Sequence, residues 1–361
     1  MYKRKGIIRL AFLLSLLCLV RSSLAQEIYL ENTSKSNYQM DILRPAGITI
    51  DTSLRTILLF PGQPLADSQI EIRLNDRFDK SAKQMLPALF SQTCQRAAGI
   101  LSEGPRFNCL IPENDSSFFP PEIKSWDDIQ SFCRQAGSDV LAVLQIVGCT
   151  VGIRSQLTSE NVYYSGDITS LKGIEGNPLV LAEIASEAEF TWQLYFPVEH
   201  KLETQKIRSK DQITNMRFND KPELFAYMNE ELPKILDRLS ANAAQKFAQL
   251  VSPVWETTIR SYYDKGNSDM RLASRLLQSG KIDEAAAIWE RLAESNNKGI
   301  SKHARFNQLL ICELDGNYAE GVQIAEKLSQ EFSMPDAVSY AEILKERMRE
   351  QELLDKQIPM E

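Results

Sequence analysis

Between Arg55 and Gln145 the spacing of apolar positions alternates between two periods, and the order that results is strand, helix, strand, helix, strand. Residues 56–60 are a short unbroken apolar run closed by Pro61 and Gly62, as a buried strand requires. Residues 79–101 place Ala82, Leu86, Leu89, Phe90, Ala97 and Ile100 at helical spacing, with Pro87 expected to bend the helix and Gly104-Pro105 to end it. Residues 106–111 read as a second strand. Ser125 is the N-cap of a helix to Ala136, with Asp127 and Asp128 complementing its positive end, and Gly137 stops it. Residues 140–147 are the third strand. Strands joined through helices should be parallel, with right-handed crossovers. Past Gly148 the helical pattern vanishes, and 161–170, 179–196 and 199–208 read as antiparallel strands.

From Pro222 the pattern is helical to the end, interrupted by Pro233, Pro253 and Gly266, with Leu232, Ile235, Leu236, Leu239, Phe247 and Val251 on one stripe. Residues 279–285 (SGKIDEA) align with 315–321 (DGNYAEG) at a period of 36, close to the roughly 34 of a tetratricopeptide unit. Glycine is wanted in each copy because the tight turn between helices needs a residue free of the Cβ penalty. Two copies are fewer than a stable stack requires, so helices over 222–263 and 336–356 are expected to complete it. The expected architecture is therefore α+β. A signal peptide occupies 1–25, an α/β domain with a mixed sheet 26–215, and an all-α tetratricopeptide-like domain 216–361.

The leader reading rests on Lys3, Arg4, Lys5 and Arg9 before an apolar run from Leu10 to Val20, then Ser23-Leu24-Ala25. The 11 residues of that run would rise about 16 Å as a helix, roughly half the hydrocarbon thickness of a bilayer. Cys18 follows Leu17 rather than the small residue a lipoprotein peptidase needs, which argues against a lipid anchor. No later stretch is apolar for long enough to span a membrane. Cleavage removes five basic residues and takes the net charge from −7 to −12, which argues against a nucleic-acid partner and against adsorption to an anionic membrane by charge. Cys94, Cys109, Cys133, Cys149 and Cys312 remain, none spaced as C-x-x-C. They read as buried small apolar side chains, with one disulfide in the first domain as the alternative. Asn32 and Asn114 offer N-x-S sequons, which leave eukaryotic secretion as a third alternative.

The search for chemistry is mostly negative. A histidine-assisted nucleophile would have to use His200 or His303, and no nucleophile elbow, phosphate loop, dinucleotide fingerprint or H-E-x-x-H occurs. Glu113 with Asp115, and Glu187 with Glu189, are the candidate carboxylate pairs, and read more simply as loop and exposed-strand residues. Trp192, Tyr195 and Phe196 read as core, with a sugar-stacking platform as the alternative; Trp255, Tyr262 and Tyr263, at helical spacing, read as core. What remains is the inner face of the first helix of each repeat, where Arg271, Arg275, Gln278, Asn307 and Glu313 either contact a peptide or protein or are simply solvated. No cofactor or metal is expected.

Several stretches carry a family resemblance: 125–129 (SWDDI) through 138–141 (SDVL), 190–195 (FTWQLY), 252–255 (SPVW) with 260–263 (RSYY), and the repeat. On them the chain resembles an uncharacterised family, a domain of unknown function, of exported Gram-negative envelope proteins and lipoproteins with a tetratricopeptide-like C-terminal half. Its N-terminal half looks, more loosely, like the periplasmic α/β domains of TolB, of curli secretion and of penicillin-binding-protein activators. The resemblance implies no reaction. The expected function is thus a non-enzymatic periplasmic or outer-membrane-associated scaffold or adaptor that binds a protein or peptide of the envelope. The alternative is an acidic-site hydrolase or glycan-binding protein.

Overall fold

Two apolar runs, 56–60 and 140–144, are buried on both faces and must therefore lie side by side inside a sheet. A computed structural model describes residues 35–62, 69–74, 77–81, 83–111, 125–158 and 179–358. The expected signal peptide, both sequons, Glu113, Asp115 and the strand expected over 161–170 lie outside the described residues. The described chain starts on β1 (Lys35–Arg44). It then builds a seven-stranded mixed sheet in which β2 (Thr56–Pro61) pairs in parallel with β5 (Asn108–Leu110) and with the start of β6 (Val140–Thr158). β3 (Gln69–Leu74) continues the same edge of β6, also parallel, with β4 (Arg77–Ser81) outside it. β7 (Leu179–Phe196) runs antiparallel along the other edge of β6, and β8 (Lys201–Phe218) antiparallel to β7.

The helices that join the parallel strands are α1 (Leu86–Glu103) and α2 (Trp126–Ala136). Pro87 does not bend α1, as the pattern suggested; it sits in the first turn, where its missing N–H costs nothing, and residues 79–81 belong to β4. Ser125 caps α2 by accepting from the Asp128 N–H, and Gly137 ends it in the left-handed conformation.

The third strand runs on past Gly148 to Thr158. Register against β7 shifts between Leu144 and Ile146, so one residue of β6, Gln145, is left over as a bulge. That extra residue reverses the parity of everything after it. Val140, Ala142 and Leu144 before the bulge, and Cys149, Val151 and Ile153 after it, face one core with α1 and α3 (Lys221–Val251). On the opposite face α2 covers only the region of Leu58, Phe60, Leu141, Val143 and Tyr195.

The stripe read along 232–251 is real, but it packs on the sheet rather than on the repeats: Leu232, Ile235, Leu239 and Phe247 share the sheet's core. The helical pattern then breaks. Val254–Tyr263 forms β9, paired with β1 in a two-stranded ribbon, and not the helix expected there. Thr257 bonds Asp41 and Ser261 bonds Asn37, an antiparallel register. After β9 come α4 (Ser268–Gln278), α5 (Ile282–Ala293), α6 (Lys298–Leu314), α7 (Tyr318–Phe332) and α8 (Pro335–Gln357).

By its contacts the chain forms two compact units. One is Leu43–Trp255 with the residues from Leu354; the other joins the described residues up to Ile42 to Glu256–Leu353. This differs from the expected division at residue 215, because α3 belongs with the sheet. Within the helical unit one turn geometry occurs twice. Gly280 and Gly316 adopt φ of 78° and 73°, and Lys281 N–H to Leu276 O (2.9 Å) recurs 36 residues later as Asn317 N–H to Cys312 O (2.8 Å). Trp289, Leu277, Leu309, Ala325 and Leu344 fill the core between these helices. No described helix is long and apolar enough to cross a membrane.

Gly321 is a point of close helix approach in that packing. A Cβ there would sit 2.6 Å from Leu344 Cδ1 and 3.0 Å from Cys312 Cβ. Gly321→Val should lower unfolding free energy by about 1–3 kcal/mol in urea denaturation; an unchanged midpoint would mean that α7 does not approach its neighbours this closely.

Candidate functional site

The five residues expected on the inner face of the repeats divide into two groups. Asn307, on α6, is fully buried and bonds the backbone of Tyr263 twice: its Nδ2 donates to the carbonyl and its Oδ1 accepts from the N–H, both at 2.7 Å. Glu313, six residues further along α6, accepts from Arg260 Nε at 2.8 Å and Nη2 at 2.7 Å, and from the Tyr340 hydroxyl at 2.8 Å. Burial, with the Glu313 carboxylate beside it, pushes the Tyr340 phenol well above its ordinary pKa. Gln278, on α4, donates to Asn37 O and to the Tyr262 hydroxyl, each at 3.0 Å. His303 stacks on the Tyr263 ring at 3.9 Å. Three of the five candidates therefore grip the protein's own ribbon, and Asn307 and Glu313 are turned inward rather than offered to a partner.

Arg271 and Arg275 behave differently. They lie one turn apart on α4, both exposed, with Leu272 between them 40% exposed. Neither guanidinium has a hydrogen bond or ion pair to a described residue.

In the α/β unit the open part of the sheet, below α2, forms a trough of about 770 Å³. Its floor is β6 at Gly148, Thr150 and Gly152; one wall is made by Glu187 and Glu189 of β7 with Arg208 and Lys210 of β8. Arg208 Nε donates to Glu189 at 2.9 Å, Lys206 Nζ to the same carboxylate at 3.0 Å, and Lys210 lies 3.5 Å from Glu187. The bonds from Arg208 and Lys206 hold the Glu189 carboxyl below its usual range. A glycosidase acid needs the opposite shift. The sequence pattern missed this trough because Gly148 looked like the end of a strand. The available signal was the period-2 alternation of Gly148, Thr150 and Gly152 with Cys149, Val151 and Ile153.

The remaining candidates are structural. Trp192 is buried and stacks on Phe247 at 3.9 Å, so it offers no sugar platform; Phe196 is buried in the same core, and Tyr195 is buried under α2 on the opposite face of the sheet. Trp255, expected in the core, is 51% exposed because it lies on the outer face of β9, whereas Tyr262 and Tyr263 are buried. His200 stacks on Trp126 at 5.4 Å with its Nε2 2.9 Å from the Gln130 amide, a turn-locking contact. The five described cysteines are free thiols. Burial raises Cys94 and Cys133 and pushes Cys109 and Cys149 up to about 12 and Cys312 up to about 11, which suits small core side chains rather than nucleophiles.

Residues 65–263, which carry the sheet apart from β2, together with α1 to α3 and the trough, match the profile of a domain of unknown function, DUF8603. The chain belongs to the DUF8603 family. Residues 271–346, after the DUF8603 segment, match a second domain of unknown function, DUF6340. No curated protein matches the chain. Several solved structures resemble it at low similarity. A putative neuraminyllactose-binding hemagglutinin homolog from Helicobacter pylori is 9% identical, with 57% of this chain and 87% of that chain covered and a TM-score of 0.28. The hypothetical protein CT253 from Chlamydia trachomatis is 10% identical, with 54% and 96% covered and a TM-score of 0.23. Scores this low carry no argument about the DUF8603 chain.

Two measurements check the site. Glu313→Ala leaves Arg260 buried without its carboxylate and should cost about 3–5 kcal/mol of stability; a loss below 1 kcal/mol in calorimetry would place the pair at the surface. The raised thiols hold their protons in the folded state, so at pH 8 an alkylating reagent should label Cys109 and Cys149 only as fast as the protein unfolds. Unfolded thiols ionise near pH 8.5, so the stability these two contribute is complete below that pH and lost as pH rises toward about 12. Rapid labelling of native protein, read by mass spectrometry, would contradict this.

Proposed function

We propose that the chain is a non-catalytic scaffold or adaptor of the bacterial cell envelope, exported by the signal read at 1–25, whose helical unit is a tetratricopeptide-like array that binds an acidic segment of another protein through α4. The observation that carries the reading is the division of the five polar residues. Gln278, Asn307 and Glu313 are committed to the protein's own ribbon, whereas Arg271 and Arg275 stand exposed on one helix face with no described counter-charge. In a chain of net charge −7 two such cations are a local reversal of sign, which steers an acidic partner and orients it. Leu272 between them adds the apolar contact that charge alone lacks. The 36-residue backbone repeat supports an array of this kind, and helix arrays commonly bind through exposed helix faces.

A photo-crosslinking residue at position 272, used in intact cells with mass-spectrometric readout, tests this. The expected result is a reproducible set of acidic protein adducts that the R271E/R275E double variant loses. Surface changes of this kind alter stability by about 0.5 kcal/mol or less, so the variant should melt like the parent. Random neighbours, or adducts that survive the charge reversal, would overturn the reading.

A further inference from the structure

We infer that the trough on the open face of β6, β7 and β8 is a second binding site, in a different unit from α4, and that its ligand is an electrically neutral, hydroxyl-rich chain: a neutral glycan.

The first step concerns the floor. Glycine weakens a strand by about 0.5–1 kcal/mol relative to alanine and is kept there for a bulge, a positive φ or a close approach from outside. Gly148 has neither internal reason. The bulge lies at Gln145, the φ of Gly148 is not in the positive region, and a Cβ built on it meets no described atom within 4 Å. Gly152 is similar, with Ala185 O at an ordinary 3.5 Å. The room above the two glycines is therefore left for a group outside the described chain. Glycine floors let a flat face, such as the C–H face of a sugar ring, lie against the sheet.

The second step concerns the wall. Its charged groups are paired, Glu189 with Arg208, Glu187 with Lys210, and the third lining carboxylate, Asp211, with Arg238 of α3. A wall neutralised in this way offers little net field to an anion or cation, which disfavours an ionic ligand. Its carboxylate lone pairs and unused N–H groups remain, so it can both accept and donate. Hydroxyl groups also do both, and vicinal hydroxyls match the two-atom faces of carboxylate and guanidinium. Thr150 adds a hydroxyl with no described partner in the middle of the floor. No aliphatic or aromatic side chain larger than Ala185 lines the trough among the described residues, so an apolar helix or a lipid would gain nothing there.

The test is an NMR titration of the full, isotope-labelled chain with neutral hexasaccharides of glucose and of N-acetylglucosamine, beside oligogalacturonate and an acidic and a basic peptide. The expected result is saturable shifts at the Gly148, Thr150 and Gly152 amides with a neutral sugar, weakened at least tenfold in Gly148→Thr, which should melt no lower than the parent. Glu187→Gln should weaken the same sugar several-fold without touching the floor. Shifts produced only by the charged sugar or the peptides, no shift with any neutral sugar, or a lower melting temperature for Gly148→Thr would each overturn the inference. Because R271E/R275E leaves this unit unaltered, failure here and failure of the α4 reading are separate results.

Discussion

A 19-residue strand bonded along both edges sets the terms for the α/β unit. It pairs with β7 along one edge and with β2 and β3 over residues 140–144 and 148–153 of the other, so its two faces must each be covered by apolar packing or made polar for water. The bulge at Gln145 allows both solutions on one strand. Before it β6 is apolar on both sides, with α1 and α3 on one face and α2 on the other. After it the parity reverses, the apolar residues stay with α1 and α3, and the small residues face outward where no described helix follows. The trough is the direct consequence of a strand longer than the helix that covers its second face.

The helical unit meets a different constraint. Its ribbon brings two strands against helices, and the strand backbone groups facing α6 need partners that a helix cannot give from its own main chain. Asn307 answers with both halves of its amide, and Glu313 balances the Arg260 guanidinium that enters with β9. Charges so deeply buried add little net stability but make the wrong register expensive. They hold β9 at one position along α6, and in doing so they withdraw those residues from any outside partner.

The two proposed sites follow from the same economy. Asn307 and Glu313, which the fold uses, are buried and bonded within it; groups that it does not use stand out by contrast. Among the described residues, the contrast on α4 is two arginines without a counter-charge in an acidic chain, and on β6 it is two glycines that no described neighbour requires.

The sequence by itself determined the helices and the inner strands, but not β1, β3, β4 or β9, because propensity, caps and apolar period act over a few residues. The parallel strand order around α1 and α2, the capped start of α2, the amphipathic stripe of α3 and the 36-residue turn repeat were all legible from the chain. Tertiary structure alone decided what each surface faces. A stripe does not say whether it packs on a sheet or on a repeat, a single extra residue inverts a strand's faces, and a polar side chain such as Asn307 reads identically whether it meets water or the backbone of Tyr263. Those outcomes depend on contacts between residues tens to hundreds of positions apart, which no local pattern encodes.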